Sequence, residues 1–452
     1  MLETGGGRGY PRYSLSNDCS FLTKTWPARS CWYTTFARNF LTMKSSVLVG
    51  LLLMYTANTL FSQTFNEKNL RQHVSFLAAD KLKGRGTGSK EERKAAEYLA
   101  KQFKKIGLQP KGDDGTYFHR FGFKKMTDPH GGGAENAPQV YSQNVAGYLD
   151  NGAANTIIIG AHYDHLGLGH DHNSLDANPD GKIHNGADDN ASGTAGVIEM
   201  ARYFAGNGVK EQHNFLFLCF SGEELGLVGS KRFTEYPTID LATCSFMVNM
   251  DMIGRLNAEK RLIVGGVGTA PDFVPTLNTL KGEFSFKFDS AGIGPSDQTS
   301  FYLKNMPVLF FFTGQHSDYH KPSDDTDKIN FPGEAQVLSL VARVVNALDQ
   351  QPKLTFQETK ANAENTPRFT VTLGIMPDYT YEGEGLHVDG VTAGKPADKA
   401  GLLKDDVIVG LGTLVVKDIN DYMKALATFK KGDSTTVKVK RKDSEKTFPV
   451  TF

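Results

Sequence analysis

The sequence lacks an excess of charge of either sign: Lys plus Arg and Asp plus Glu both number 50, a formal net charge of zero. That balance removes any whole-chain electrostatic argument for binding nucleic acid or an anionic membrane surface, so function has to be read from local clusters. Cysteine is scarce. Of the four present, Cys19 and Cys31 stand in an N-terminal stretch without helical or strand period, leaving Cys219 and Cys244 for the folded chain. Two cysteines cannot build a disulfide framework, and both sit in or beside apolar runs, so buried thiols are expected. Long apolar runs are missing too. The nearest approach is VLVGLLLMYTANTLF after the basic start Met43-Lys44-Ser45-Ser46, shorter than the roughly 20 residues a spanning helix needs. It reads as a secretory signal peptide over 43–62, with small or polar residues around Ser62-Gln63 suited to cleavage, and no stable membrane span is expected afterwards. Export to the periplasm or the exterior follows. Because such a peptide normally begins a chain, Met43 is the expected start and residues 1–42 an extension outside the fold.

What is present fits two folded units, since 452 residues exceed what one hydrophobic core usually serves. From Asn66 to about Leu108 apolar residues recur at helical spacing, in LRQHVSFLAAD and EERKAAEYLAKQFKKIGL, with Gly84 to Gly88 breaking the two. Beyond them, strand-like runs NTIIIGAHYD, HNFLFLCFS, CSFMVNMDMIG, RLIVGG and MPVLFFF alternate with helical or Gly-rich segments such as SGTAGVIEMARYFA and EELGLVGSKRFTEY. The alternation predicts an α/β unit over 63–350 with a mostly parallel central sheet covered by helices on both faces. The helix PGEAQVLSLVARVVNAL closes it. Residues 351–366 read as a polar linker, and 367–452 as a small β-rich unit of short alternating strands around one helix, INDYMKALATF.

Chemistry-bearing residues recur where the apolar runs end, the end of an open sheet at which ligands bind. Hydrolysis of an amide needs a water nucleophile, a base, and positive charge for the developing oxyanion; a pair of zinc ions bridged by a carboxylate can meet the first and third needs. GAHYDHLG offers His162, with Asp164 placed to accept from the other imidazole nitrogen. NGADDNASGTAG offers Asp188 and Asp189 before a helix start; capping explains one of them but hardly both, and Asp189 is taken as the bridging ligand. SGEELGLVGS offers Glu223 and Glu224, whose side chains diverge, so that one can bind metal while the other faces water. NMDMIGR and SDYHKPSDD add Asp251 and His320. Each fragment alone has an ordinary structural explanation, as a strand-end histidine, a helix cap or favourable charge at a helix start.

Taken together, these blocks resemble the co-catalytic zinc aminopeptidase family, to which glutamate carboxypeptidase and glutaminyl cyclase are related, over about Phe65 to Asp349. The resemblance implies two Zn2+ ions, one held by Asp189, Glu224 and His320 and the other by His162, Asp189 and Asp251. It also implies Glu223 as general base, a non-proline cis peptide between Asp189 and Asn190, and peptide substrates; Tyr319 is a further catalytic candidate, as a donor to the tetrahedral intermediate. Two other readings stand beside the aminopeptidase: glutaminyl cyclase-like acyl transfer at one zinc, and a non-catalytic peptide-binding protein. The C-terminal unit, with GVTAGKPADKAGLLKDDVIVGLG, resembles PDZ domains of the bacterial protease-associated kind. Such a groove captures a peptide or protein C-terminus, here with LGIM around Gly374 as its expected lining.

Weaker signals remain. DANPDGK, Asp176 to Lys182, has the start of a calcium loop, but Ala187 stands where the closing Glu belongs. His165, His170, His172 and His184 crowd one long loop and are expected to be exposed. Asp297 in SAGIGPSDQTSFY is expected to cap the helix that follows.

Overall fold

The computed structural model describes residues 65–125, 138–171, 173–359, 371–377, 381, 383–391, 394–417, 419–442 and 444–452. The expected extension, signal peptide and second half of the linker lie outside the described residues.

The two N-terminal helices form where helical spacing was read, α1 at Glu67–Leu77 and α2 at Lys90–Ile106. Their ends follow capping chemistry. Ser89 accepts from the Glu92 amide at 3.0 Å, Lys104 and Lys105 occupy the last turn, and Gly107 closes α2 at φ 93°. After them come β1 (Gln109–Pro110), β2 (Phe118–Lys124), β3 (Gln139–Leu149), β4 (Thr156–His162), α3 (Gly193–Gly206), β5 (Asn214–Phe220), α4 (Val228–Glu235), β6 (Cys244–Met250), β7 (Arg261–Gly265), α5 (Phe273–Leu280), β8 (Ser285–Phe288), α6 (Gln298–Tyr302), β9 (Val308–Phe312) and α7 (Phe331–Asp349).

These strands make a nine-stranded sheet in the order β1-β3-β5-β4-β6-β9-β7-β8, with β2 paired to β3. β5, β4, β6 and β9 run parallel. Every residue of those four strands is buried, which is why they read as unbroken apolar runs. The margins differ from the sequence reading: β1, β2, β3 and β8 were not marked as strands, and β1, β2 and β3 join antiparallel. β2 buries alternate residues on one face only, so its composition is too mixed to stand out. One side of the sheet is covered by α1, α2, α3 and α7 through Leu70, Leu99, Val197 and Leu338, the other by α4 and α6 through Phe233 and Phe301. Cys219 and Cys244 are buried free thiols.

The segment after α7 departs from the expected linker. Leu354 is buried, its amide donates to Ser245 Oγ at 3.1 Å, and the Gln357 amide donates to the Thr269 carbonyl at 2.8 Å. The Phe356 ring lies 5.5 Å from that of Tyr302, and the Thr359 amide donates to the Tyr302 hydroxyl at 3.1 Å. Residues 353–359 are thus a strap across the first unit; apolar Leu354 and Phe356, spaced two apart, are the signal a reading of polar content passed over.

The C-terminal unit comprises β10 (Ile375–Pro377), β11 (Leu386–Val391), α8 (Pro396–Ala400), β12 (Val407–Leu411), β13 (Leu414–Val415), α9 (Ile419–Leu426), β14 (Ser434–Arg441) and β15 (Ser444–Thr451) in a six-stranded antiparallel sheet. Its core, with Leu373, Val388, Ile408, Leu411 and Val437, is separate from those of the first unit. Buried Asp406 is held by Arg441 through two bonds of 2.6 and 2.7 Å, a fork that fixes the strand end. Among the described residues no helix is long and apolar enough to cross a membrane.

Candidate metal and catalytic centre

Each ligand candidate leaves the carboxyl end of a central strand or the turn opposite it. His162 ends β4, Asp251 follows β6, Glu223 and Glu224 lie in the turn after β5, and His320 lies in the loop after β9. The Glu pair precedes α4 instead of opening it, because Gly226 and Leu227 at φ 96° and 62° delay the helix to Val228. Asp189 lies in the Ala187–Ser192 segment before α3, and its bond to Asn190 is cis.

The Asp189 carboxylate faces two ways. Its Oδ1 lies 3.3 Å from His162 Nε2, which is also 3.4 Å from Asp251 Oδ1. Its Oδ2 lies 3.2 Å from His320 Nε2, which is 3.2 Å from Glu224 Oε2. Among the described residues, ligand atoms of His162, Asp189 and Asp251 fall within 4.8 Å of one another, as do those of His165, Asp189 and Glu224. His165 is the surprise. It was expected to be exposed, yet it is buried, with Nδ1 2.7 Å from Glu224 Oε1 and 3.8 Å from Asp189 Oδ2. Its place directly after Asp164 in HYDH was the signal. His320 reaches both carboxylates at hydrogen-bond distance whereas His165 reaches only Glu224 so closely, so His320 suits a cation between them better. His184 is buried as well, bonded to Ser174; His170 is exposed, and His172 lies outside the described residues.

The neighbouring acid is consumed elsewhere. Asp188 accepts from the Gly254 amide at 2.7 Å and Ser192 Oγ at 3.0 Å, with His316 Nε2 at 3.1 Å. Asp324, which the sequence reading did not single out, accepts the Asp188 and Asp189 amides at 3.0 Å and so aims the segment. Asp164 sits otherwise than expected: His162 Nδ1 is 3.3 Å from its carbonyl and 3.6 Å from its carboxylate. The carboxylate accepts instead from Thr87 Oγ1 at 2.7 Å and the Glu223 amide at 3.2 Å. Beneath lies Arg85, fully buried, donating to the carbonyls of Leu77, Tyr163, Asn185 and Gly186.

The field of the cluster favours cations. Burial opposes charge on His162 and His320, but Asp251 and Glu223 around the first and Glu224 and Asp189 around the second push both well above the ordinary histidine range. A pocket that holds imidazolium so firmly suits a divalent ion. Asp251 Oδ1 is buried without a hydrogen-bond partner, an arrangement that is costly unless a cation completes it. The donor set of imidazoles and carboxylates is that of zinc. Burial, reinforced by Glu224, Asp297 and Asp251 against His162, raises the Glu223 carboxyl well above its ordinary value.

A cleft of about 60 Å³ opens over Glu223, Asp251 and His320, with Met252, Phe310, Phe312 and Tyr319 as its apolar wall. A larger one of about 400 Å³, beside Gly86 and Leu168, contains none of the ligand set. Asp297 does not cap α6. Its side chain makes no cap bond, both carboxylate oxygens lack a hydrogen-bond partner, and burial lifts its pKa to about 7. Asp176 accepts from the Asn178 amide at 2.9 Å and from Lys182 Nζ at 2.5 Å, so the DANPDGK loop is closed by an ion pair.

Residues 144–345 match the model of peptidase family M28, and residues 359–452 match that of the PDZ domain. The chain therefore carries a peptidase family M28 domain followed by a PDZ domain. Every ligand candidate lies within the M28 span. Among relatives, aminopeptidase YwaD of Bacillus subtilis is 28% identical over 194 residues, 40% of this chain and 42% of that one. The chain thus spans less than half the length of that curated relative. Among solved structures, LapB from Legionella pneumophila is similar with a TM-score of 0.50 at 18% identity, covering 66% of this chain and 75% of that one. Glutaminyl cyclase from Bacteroides thetaiotaomicron reaches 0.50 at 16% identity, covering 63% and 98%. At such identities the likeness is one of fold.

Proposed function

We propose that the M28 domain is an exported zinc-dependent aminopeptidase, releasing N-terminal residues from peptides at a two-metal site. The observation that carries this reading is the Asp189 carboxylate, with Oδ1 turned to His162 and Oδ2 to His320. One carboxylate between two separate His–carboxylate sets is what two cations require, and it favours hydrolysis at two metals over cyclase chemistry at one. His162, Asp189 and Asp251 would hold one zinc; Asp189, Glu224 and His320 the other, with His165 fixing the Glu224 carboxylate. Zinc bound there supplies Lewis acidity toward water and toward a carbonyl oxygen.

The chain's own residues do the rest. Glu223 lines the cleft beside the ligands, where a carboxylate takes the proton of the attacking water and returns it to the leaving amine nitrogen. Tyr319, stacked on the His320 ring at 3.9 Å, lines the same cleft and is proposed to donate to the tetrahedral oxyanion. The wall of Met252, Phe310 and Phe312 supports an apolar residue as the one released. The PDZ domain is proposed to hold a peptide or protein C-terminus near the turn at Gly374, where φ is 74° and a Cβ would stand 2.2 Å from that of Lys395. Export rests on the short apolar run after Met43.

The test is Glu223→Gln in full-length protein. The variant is expected to bind zinc in the same ratio as the parent and to lose activity on amino-acid anilides by about 10²–10⁴-fold, the usual range for a general base. Normal turnover by zinc-loaded variant, or a parent that binds no zinc, would overturn the reading.

A further inference from the structure

We infer that Glu92 is a positioning residue for Glu223, acting through Ser221 on the turn that carries it. The inference rests on the proposed role of Glu223 and adds a residue that lies outside the span matched to the peptidase family. Glu92 stands in the first turn of α2, where an acid ordinarily faces water and favours the helix dipole. Here it is 1% exposed and turned inward. Its Oε2 accepts from the Gly88 amide at 2.6 Å, Ser142 Oγ lies 2.8 and 2.9 Å from its two oxygens, and Ser221 Oγ bonds Oε1. The two serine hydroxyls are themselves 2.6 Å apart.

Ser221 is two residues before Glu223, with Gly222 between them at φ 72°. A glycine in that conformation leaves the turn free to swing unless both sides are held. Both are. On one side Ser221 is tied to Glu92 by its hydroxyl and to Asn144 Oδ1 by its amide at 3.1 Å. On the other, the Glu223 amide donates to Asp164, which takes the Thr87 hydroxyl. Thr87 and Glu92 belong to one short stretch, so residues 87–92 grip the base-bearing turn from both flanks, and the Gly88 amide bond to Glu92 closes the grip.

A purely structural part, joining α2 to β3, would need only the Ser142 bond. The Ser221 bond reaches beyond that strand to the reactive turn. The carboxyl also grips without adding charge: burial and then Asp164 raise its pKa to about 8, against the serine and Gly88 bonds, so it is mostly neutral at pH 7. A neutral donor–acceptor at this point holds Ser221 and leaves the balance among Glu223, Glu224, Asp189 and Asp251 unaltered. Precision matters because a misplacement of about 1 Å can cost roughly 100-fold in rate.

The experiment compares full-length, zinc-loaded parent with Glu92→Gln, Glu92→Leu, Ser221→Ala and the double variant Glu92→Leu/Ser221→Ala. Steady-state hydrolysis of leucine anilide, zinc content, thermal midpoint, and hydrogen–deuterium exchange over 221–224 are measured on each. Ser221→Ala and Glu92→Leu are expected to lower kcat by about 10–100-fold with KM within about threefold and zinc retained. Exchange of the 221–224 amides should quicken in both. Glu92→Gln should stay within about threefold of the parent, and the double variant should be no worse than the poorer single, because both remove the same link. If Glu92→Leu fails to fold, Ser221→Ala and Glu92→Gln decide. The inference fails if Ser221→Ala keeps the parent's kcat and exchange, if Glu92→Gln falls as far as Glu92→Leu, or if the double loss is the product of the singles. A folded, zinc-loaded parent without hydrolysis would refute the proposed function instead, and unchanged exchange in Ser221→Ala would still refute the grip.

Discussion

At the scale of residues, adjacent acids take different parts because of what else reaches them. Asp188 is saturated by Gly254, Ser192 and His316, whereas both Asp189 oxygens meet only imidazoles of the site. Glu334 shows the reverse condition. It is fully buried in the first turn of α7, and neither carboxylate oxygen has a hydrogen-bond partner. Burial, then Asp188 and Glu199, push its pKa well above the ordinary 4.5. The folded state therefore binds this proton more tightly than the unfolded one. Its contribution is fully present below the unfolded value and is lost as pH rises toward the folded one. Glu334→Gln removes that loss, so the variant should gain stability over the parent near pH 8 and close to nothing near pH 4. Urea unfolding at the two pH values measures this, and an equal shift at both would show that titration is not the cause.

At the scale of elements, legibility followed burial. β4, β5, β6 and β9 are covered on both faces, so their sequences are mostly apolar, and the polar residues at their ends stand out against them. β2 escaped because only alternate residues are buried, β3 because its buried residues include polar Ser142 and Asn144, and β8 because it is short and only partly buried. Histidines in the 165–184 loop were misread for a related reason: a polar, Gly-rich stretch looks solvated, yet His165 and His184 are drawn in by Glu224 and Ser174. Arg85 escaped because its partners are carbonyls, which leave no mark in a sequence. The strap after α7 is the case with a measurable consequence. A linker leucine would tolerate truncation, whereas Leu354, buried with its amide tied to Ser245, should not. Leu354→Ala is expected to destabilise the M28 domain by about 2–3 kcal/mol, the lower part of the range for buried leucines. Denaturant midpoints check it, and a change below about 0.5 kcal/mol, the usual limit for surface substitutions, would restore the linker description.

At the scale of the molecule, separate hydrophobic cores for the two domains and one acidic centre make the response to metal removal local. The PDZ core around Val388, Ile408 and Val437 shares no residue with the cores under the M28 sheet. Asp189, Glu223, Glu224 and Asp251 all belong to the M28 domain. The fixed cation beneath them, Arg85, spends its donors on carbonyls but stays charged at neutral pH even with its pKa lowered by burial to about 10, and it attracts Asp164, Asp189, Asp324 and Glu224; with the site's imidazoles it relieves part of the repulsion among the carboxylates, and a divalent ion would relieve more. A ligand that binds only the folded state at a thousandfold excess over its Kd stabilises by about 4 kcal/mol. At about 2–4 °C per kcal/mol for a domain of this size, that is on the order of 10 °C. Calorimetry of the full chain should therefore show the M28 transition falling by roughly that amount on chelation and returning as zinc is titrated back, with the PDZ transition unmoved. An M28 transition indifferent to chelator would remove the metal from this centre, and a PDZ transition that moved with it would mean that the two domains unfold as one despite their separate cores.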